Sequence, residues 1–336
     1  MVQLLRYICS SCVLCIIALQ LHARAGVPLN HSAVANSKIL SVSPLISIES
    51  YSLPGSDTTS CVIPFNRVGN LMLIKAKADS IEGSFILDSG APGLVLNITY
   101  FRDYPVTNIS DGEQTSITGS SYSVSKTSVK ELSFGSLRYF QMEADLLNLG
   151  HIENSKGVRI LGLLGVELFK QCEMIINFEK GLIYLHRIGR KEATKYRSEL
   201  LNDTAAYHTF PIELKDNRII ATTEMDGKKL KLAIDCAAES NVLDSRLPDR
   251  IFEHFEITKR VMLTGANNKK VEALYGDLKS MTLSGVELGT LPVLITNLEN
   301  TCFSGTGCIN GILGFDFLSM HTIGFNFVTR KMYIWK

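Results

Sequence analysis

Phe85-Ile86-Leu87-Asp88-Ser89-Gly90-Ala91 and, further along, Leu232-Ala233-Ile234-Asp235-Cys236-Ala237-Ala238 decide how this chain reads. In each, three apolar residues run into an aspartate and small residues follow it. That order predicts a strand delivering a carboxylate into a tight turn. After the first turn, Leu94-Val95-Leu96 predicts a second strand leaving it. Gly90 admits backbone conformations and close approaches that a side chain would block, and Ser89 offers a hydroxyl. Asp-Ser-Gly by itself is an ordinary surface turn. Apolar strands on both sides and a second copy set this one apart.

The two copies match well beyond their aspartates. Ile63-Pro64-Phe65 precedes the first and Phe210-Pro211-Ile212 the second, with 24 residues from Pro64 to Asp88 and from Pro211 to Asp235. Between them, Asp79-Ser80 and Asp226-Gly227 predict hairpin turns. Downstream, Ile160-Leu161-Gly162-Leu163-Leu164-Gly165 has its counterpart in Asn310-Gly311-Ile312-Leu313-Gly314. In each copy the last glycine is followed after 12 residues by an Asn-Phe pair (Asn177, Asn326) and after 7 more by a tyrosine (Tyr184, Tyr333). Each unit is therefore expected to end on the same strand–turn–strand.

Two such units related by a pseudo-twofold axis would bring both turns together at that axis. Neighbouring carboxylates do not both ionise easily; they share a proton and titrate in two separated steps. One can then act as general base on a water while the other protonates a carbonyl oxygen. That chemistry hydrolyses a peptide bond with neither metal nor covalent intermediate.

The rest of the chain sets bounds. Its 336 residues suffice for about two domains of roughly 150 residues each. Hydrophobic residues make up 46% and charged residues 20%, the balance of a packed globular protein. The net charge is +1 with no basic run, which excludes a nucleic-acid footprint. Strand formers dominate, so a mainly β fold is expected. Arg6, an apolar run from Tyr7 to Leu21 and Ala23-Arg24-Ala25 predict a signal peptide over 1–25 that is cleaved near Gly26. A run of 15 apolar residues is short against the ~20 that span a bilayer, and no other segment is apolar enough. The reading is an exported protein, periplasmic or secreted, with no membrane span after cleavage.

A Ser-rich leader is expected over 26–60, with one strand at Ile39 to Ile48. The two repeat units follow at 61–186 and 208–336, joined by a charged linker over 187–207 with helical character. Two units in one chain remove the need for a dimer, so a monomer is expected. Of eight cysteines, three lie in the signal, leaving Cys61, Cys172, Cys236, Cys302 and Cys308. Cys302 and Cys308 flank Phe-Ser-Gly-Thr-Gly, a loop that can close a small disulfide. The seven histidines are scattered and no zinc spacing occurs, so neither metal nor cofactor is expected.

At the level of motifs, residues 60–336 resemble aspartic proteases of the pepsin and retropepsin type, and the architecture resembles that of exported two-lobe bacterial relatives. Asp88-Ser89-Gly90-Ala91 matches the Asp-Thr/Ser-Gly motif, its alanine closer to the retropepsin form. Gly162 to Gly165 and Gly311 to Leu318 resemble the later apolar-Leu-Gly segment that opens a short helix. The resemblance implies two homologous acid-protease-like β-barrel lobes with short helices, and a cleft for a peptide or protein substrate. It also implies a flap. Ile117 to Val124, with Gly119 and Tyr122, is the candidate, and Leu263 to Asn268 is its counterpart. Asp88 and Asp235 would be catalytic, supported by Ser89, Gly90, Cys236 and Ala237.

Copy two departs from the family pattern. Cys236 stands where Thr or Ser is expected and Ala237 where Gly is expected. A thiol is a weak donor, and an alanine adds a β-carbon and disfavours positive φ at a crowded turn. Two functions stay open: an aspartic endopeptidase, and an impaired relative that binds peptides in the same cleft. Cys236 as a thiol nucleophile lacks a nearby base in sequence.

Overall fold

The apolar runs of the two repeats form strands, and each aspartate sits where its strand ends. In the computed structural model, which describes residues 59–106, 108–115, 121–190, 192, 196–264, 270–299, 302–303 and 307–336, the chain is mainly β. The expected signal peptide and leader strand lie outside the described residues. The first half runs β1 (Ser60–Pro64), β2 (Asn66–Val68), β3 (Leu71–Ala78), β4 (Ile81–Leu87), β5 (Leu94–Asn97), β6 (Asn108–Thr115), β7 (Ser121–Phe134) and β8 (Leu137–Leu147). Helix α1 (Gly150–Lys156), β9 (Gly162–Leu164), a 3-10 turn (Val166–Phe169), β10 (Cys172–Asn177) and β11 (Leu182–Arg187) complete it.

The second half repeats this order. It runs β12 (Tyr207–Pro211), β13 (Glu213–Lys215), β14 (Arg218–Met225), β15 (Lys228–Ile234), β16 (Asn241–Asp244), α2 (Asp249–Phe252), β17 (Phe255–Thr264) and β18 (Lys270–Leu278). Then come β19 (Thr282–Leu283), β20 (Val286–Glu287), β21 (Leu291–Thr296), the small ribbon β22 (Cys302–Phe303) and β23 (Gly307–Cys308), β24 (Gly311–Leu313), α3 (Phe315–Leu318), β25 (Ile323–Asn326) and β26 (Lys331–Trp335). The 187–207 segment holds a single short 3-10 turn, Glu199–Leu201, among its described residues.

Among the described residues the strands form three large sheets besides the β22–β23 ribbon. One has the order β2-β3-β4-β9-β5-β8-β7-β6, and the second reads β13-β14-β15-β24-β16-β21-β18-β17, with β19 and β20 beyond β14. Strand for strand, the two orders are the same. The third, β1-β11-β10-β25-β26-β12, takes three strands from each half and joins them through β10 and β25. The Asn-Phe pairs explain its symmetry. Asn177 Oδ1 accepts from Lys180 N at 2.8 Å and Asn326 Oδ1 from Thr329 N at 2.8 Å, closing equivalent turns.

The hairpin turns follow their sequence. Asp79 has φ 52, and Asp226 and Gly227 have φ 48 and 69, the left-handed region that aspartate tolerates and glycine favours. The strands carrying the aspartates are wholly apolar where they end. Phe85, Ile86, Leu87, Leu232, Ala233 and Ile234 are all buried. Strand β9 lies parallel to β4 and antiparallel to β5, and β24 does the same with β15 and β16. Only glycine fits at the crossing: a β-carbon on Gly162 would meet Val95 O at 2.1 Å, and one on Gly311 would meet Val242 O at 2.4 Å. The glycine that opens β9 and β24 is thus a packing requirement, and each of these strands clamps the strand that delivers the aspartate.

Candidate active site

Each aspartate leaves its strand with its backbone amide tied to the clamping strand. Asp88 N donates to Leu164 O and Asp235 N to Leu313 O, both at 3.0 Å. The turn then folds back on the carboxylate. Asp88 Oδ1 accepts from Gly90 N at 2.8 Å and Ala91 N at 3.0 Å. Asp235 Oδ1 accepts from Ala237 N at 2.9 Å and Ala238 N at 3.1 Å. One oxygen of each side chain is therefore fixed by two amides. Both aspartates are almost entirely buried, at 0% and 1% exposure.

The two turns grip each other. Ser89 Oγ donates to Ile234 O at 2.9 Å and accepts from Cys236 N at 2.9 Å. In return Cys236 Sγ donates to Leu87 O at 3.2 Å and accepts from Ser89 N at 3.2 Å. The longer pair reflects the larger sulfur. The expected loss of support at Cys236 is offset by this geometry, because the thiol fills both roles of the hydroxyl it replaces.

Ala237 also fits better than its sequence implied. Neither Gly90 nor Ala237 adopts positive φ, so the alanine carries no backbone strain. Gly90 is required for another reason. A β-carbon there would lie 2.3 Å from Asp235 Oδ2 and 2.6 Å from its Cγ. The Asp235 carboxyl is seated directly on the opposite turn.

Burial and proximity set the charges. Burial and the Asp235 charge push Asp88 well above the usual carboxylate range, against the pull of the Gly90 and Ala91 amides. Burial also pushes Asp235 up, to about 6, opposed by its own turn amides, by Asp88 and by the Arg218 cation. Asp88 Oδ2 receives no hydrogen bond from another described group. It faces the Asp235 carboxyl, and a proton shared between the two would satisfy it. The Cys236 thiol is held up by burial, which keeps it neutral and leaves no thiolate for nucleophilic attack.

Three further buried or ion-paired groups, Arg218, Glu239 and Lys156, escaped the sequence reading. Arg218 heads β14 at 1% exposure. Glu239, four residues after Asp235, pairs with Lys156 of α1 at 2.6 Å, and its backbone oxygen accepts from Asn70 Nδ2 at 2.9 Å. Aligning the copies on their aspartates would have exposed Arg218, since Leu71 stands at the same place in the first.

Of the flap candidate, β6 and β7 form the predicted hairpin, with Gln114 opposite Tyr122. Gly119 lies outside the described residues. Leu263 and Thr264 end β17 of the equivalent β17–β18 hairpin, and 265–268 lie outside the described residues. Cys308 is disulfide-bonded and stands opposite Cys302 in the β22–β23 ribbon, while Cys61, Cys172 and Cys236 are free thiols.

Paired aspartates on gripped turns, each clamped by a glycine-bearing strand, form an aspartic-protease-like arrangement. Residues 221–317 match the family model described as aspartyl protease. That span holds Asp235 and Gly311 to Gly314, so the half with the departing tripeptide is the half the family model matches. No curated protein matches the chain.

Proposed function

We propose that the chain is an aspartic endopeptidase that activates water between Asp88 and Asp235. The observation that carries this reading is the reciprocal grip: Ser89 and Cys236 each donate and accept across the interface, so both carboxylates are fixed with one oxygen bound and one facing the partner. With one proton on the pair, the ionised aspartate takes a proton from water as the oxygen attacks the peptide carbonyl. The protonated aspartate gives its proton to the carbonyl oxygen, forming a neutral diol. Collapse of the diol returns a proton to the leaving nitrogen and breaks the C–N bond. The substrate would lie extended in a cleft between two lobes at 61–186 and 208–336, pairing its backbone with the hairpin that carries Gly119 and Tyr122. The protein would act outside the cytoplasm as a monomer, after loss of residues 1–25.

Cleavage of an unstructured protein, from pH 3 to 8, by wild type, Asp88→Asn and Asp235→Asn tests this. Loss of cleavage in both variants is expected. The rate should rise as the ionised aspartate forms near pH 6 and fall once the pair has lost its shared proton. Folded wild type that cleaves at no pH would leave the peptide-binding alternative.

A further inference from the structure

We propose that Arg218 is a positioning residue that decides which aspartate keeps the shared proton: it holds Asp235 as the anion and leaves the proton on Asp88. Strand register makes the case. In the β14–β15 hairpin Ile219 pairs with Ile234, so the next position sets Arg218 across from Asp235. In β3–β4 Leu73 pairs with Ile86, and the same register carried two positions on sets Leu71 across from Asp88. The outer strands agree, since β2 pairs Val68 with Leu71 and β13 pairs Lys215 with Arg218. Cross-strand neighbours share a face of the sheet. The two aspartates therefore sit in nearly identical hydrogen-bond cages but face different neighbours.

Leu71 is fully buried in an apolar cluster with Ile86, Ala91, Val95 and Ala237, so Asp88 is desolvated on that side. Arg218 is the largest fully buried side chain among the described residues. A cation there favours ionised Asp235, and it works through low-dielectric surroundings. The charged and titratable groups around Asp235 are Asp88 from the opposite turn, Arg218 from β14 and the neutral Cys236 thiol of its own turn. Glu239, four residues further along the chain, is paired with Lys156. Among the described residues, no cation acts on Asp88 in the way Arg218 acts on Asp235. Under the proposed hydrolysis, Asp235 would then be the base that takes the proton of water and Asp88 the acid that protonates the carbonyl oxygen.

The role rests on the dyad of the proposed function, but it can be tested without turnover. Aspartate labelled with 13C at Cγ gives each carboxyl its own titration, assigned with Asp88→Asn and Asp235→Asn. In wild type, Asp235 should ionise at lower pH than Asp88. In Arg218→Leu, which copies the first half, the Asp235 midpoint should rise by about one pH unit or more. Arg218→Lys should keep most of the wild-type order. An Asp88 midpoint below that of Asp235 in wild type would overturn the proposal without any variant. So would an unmoved Asp235 midpoint in folded Arg218→Leu, or a lysine variant that titrates like the leucine one. A protein that orders its midpoints as expected but cleaves nothing would sink the peptidase and leave Arg218 in its role.

Discussion

Asp-Ser-Gly in the first half and Asp-Cys-Ala in its counterpart share only the aspartate, yet the bonds they make are nearly equal. Both carboxylates accept two turn amides, both turns donate and accept across the grip, and both strands are clamped by a glycine-bearing strand. The halves differ in places the tripeptides do not reveal. Gly90 carries the Asp235 carboxyl on its Cα, and Arg218 stands where the first half has Leu71. Backbone geometry, which supplies most of the hydrogen bonds, tolerates a changed side chain. Steric contact and charge do not, because they act through the particular atom present.

Exchanging the third residues should separate the two turns most sharply. Gly90→Ala places a β-carbon 2.3 Å from Asp235 Oδ2, so the carboxyl or the turn must move. A displacement near 1 Å costs on the order of 100-fold in rate. A fall in kcat of that order is expected, with Asp235 shifted in a crystal structure of the variant. Ala237→Gly removes a β-carbon from a turn without positive φ, and should change kcat only a few-fold while costing about 0.4–1 kcal/mol through unfolded-chain entropy. Equal losses in the two variants would mean that the halves pack alike after all.

The grip comes next. Ser89→Ala leaves the Cys236 N–H and the Ile234 carbonyl without their partner, and both are buried. At about 1–3 kcal/mol for each of the two stranded groups, thermal or denaturant unfolding should show a loss of roughly 2–6 kcal/mol. Cys236→Ala strands Ser89 N–H and the Leu87 carbonyl, whose bonds to sulfur are longer, so its loss should be the smaller of the two. The reverse ranking would assign the thiol the larger share of the interface.

Charge gives a third test, with a sign opposite to that of ordinary surface carboxylates. An unfolded aspartate titrates near 3.8, while both members of the pair are raised in the folded protein, Asp235 to about 6. The folded state therefore binds protons more tightly than the unfolded chain. The stability this confers is complete below about pH 4 and is lost as pH rises through the folded midpoints. Asn at position 88 keeps an oxygen for the Gly90 and Ala91 amides but carries no charge. Asp88→Asn should melt higher than wild type at pH 8, with the gap narrowing towards pH 4.

How legible was this in the sequence? Equal spacings at Pro64 and Pro211, at Gly165 and Gly314 and at Asn177 and Asn326 fall on equivalent strands and turns, because each landmark is a fixed requirement of turn or packing. The aspartates were legible because apolar strands bracket them. The grip was not, since it is made by residues 147 positions apart and by a thiol that sequence rules rank as a poor donor. Arg218 was hidden by its surroundings. A single cation ahead of Ile219-Ile220-Ala221 reads as a strand end in solvent; aligning the copies marks it as the counterpart of Leu71, and the cross-strand register sets it across from Asp235. The ion pair of Lys156 with Glu239 is likewise a contact between distant segments that no spacing announces.

The smallest expected effect decides how the departing tripeptide should be understood. Cys236→Ser replaces a thiol that already donates to Leu87 O and accepts from Ser89 N with a hydroxyl able to do both at shorter range. If the grip is intact in the native protein, the exchange adds strength to bonds that exist and creates none. The cavity left by the smaller oxygen works against the gain. Stability should therefore change by less than about 1 kcal/mol and kcat by no more than a few-fold. A rise of roughly 100-fold or more would show that the native thiol holds the turns poorly in solution and that this half had lost its support. A change within a few-fold would mean that cysteine is a working substitute here, and that the two halves differ in charge and packing far more than in the bonds that hold their aspartates.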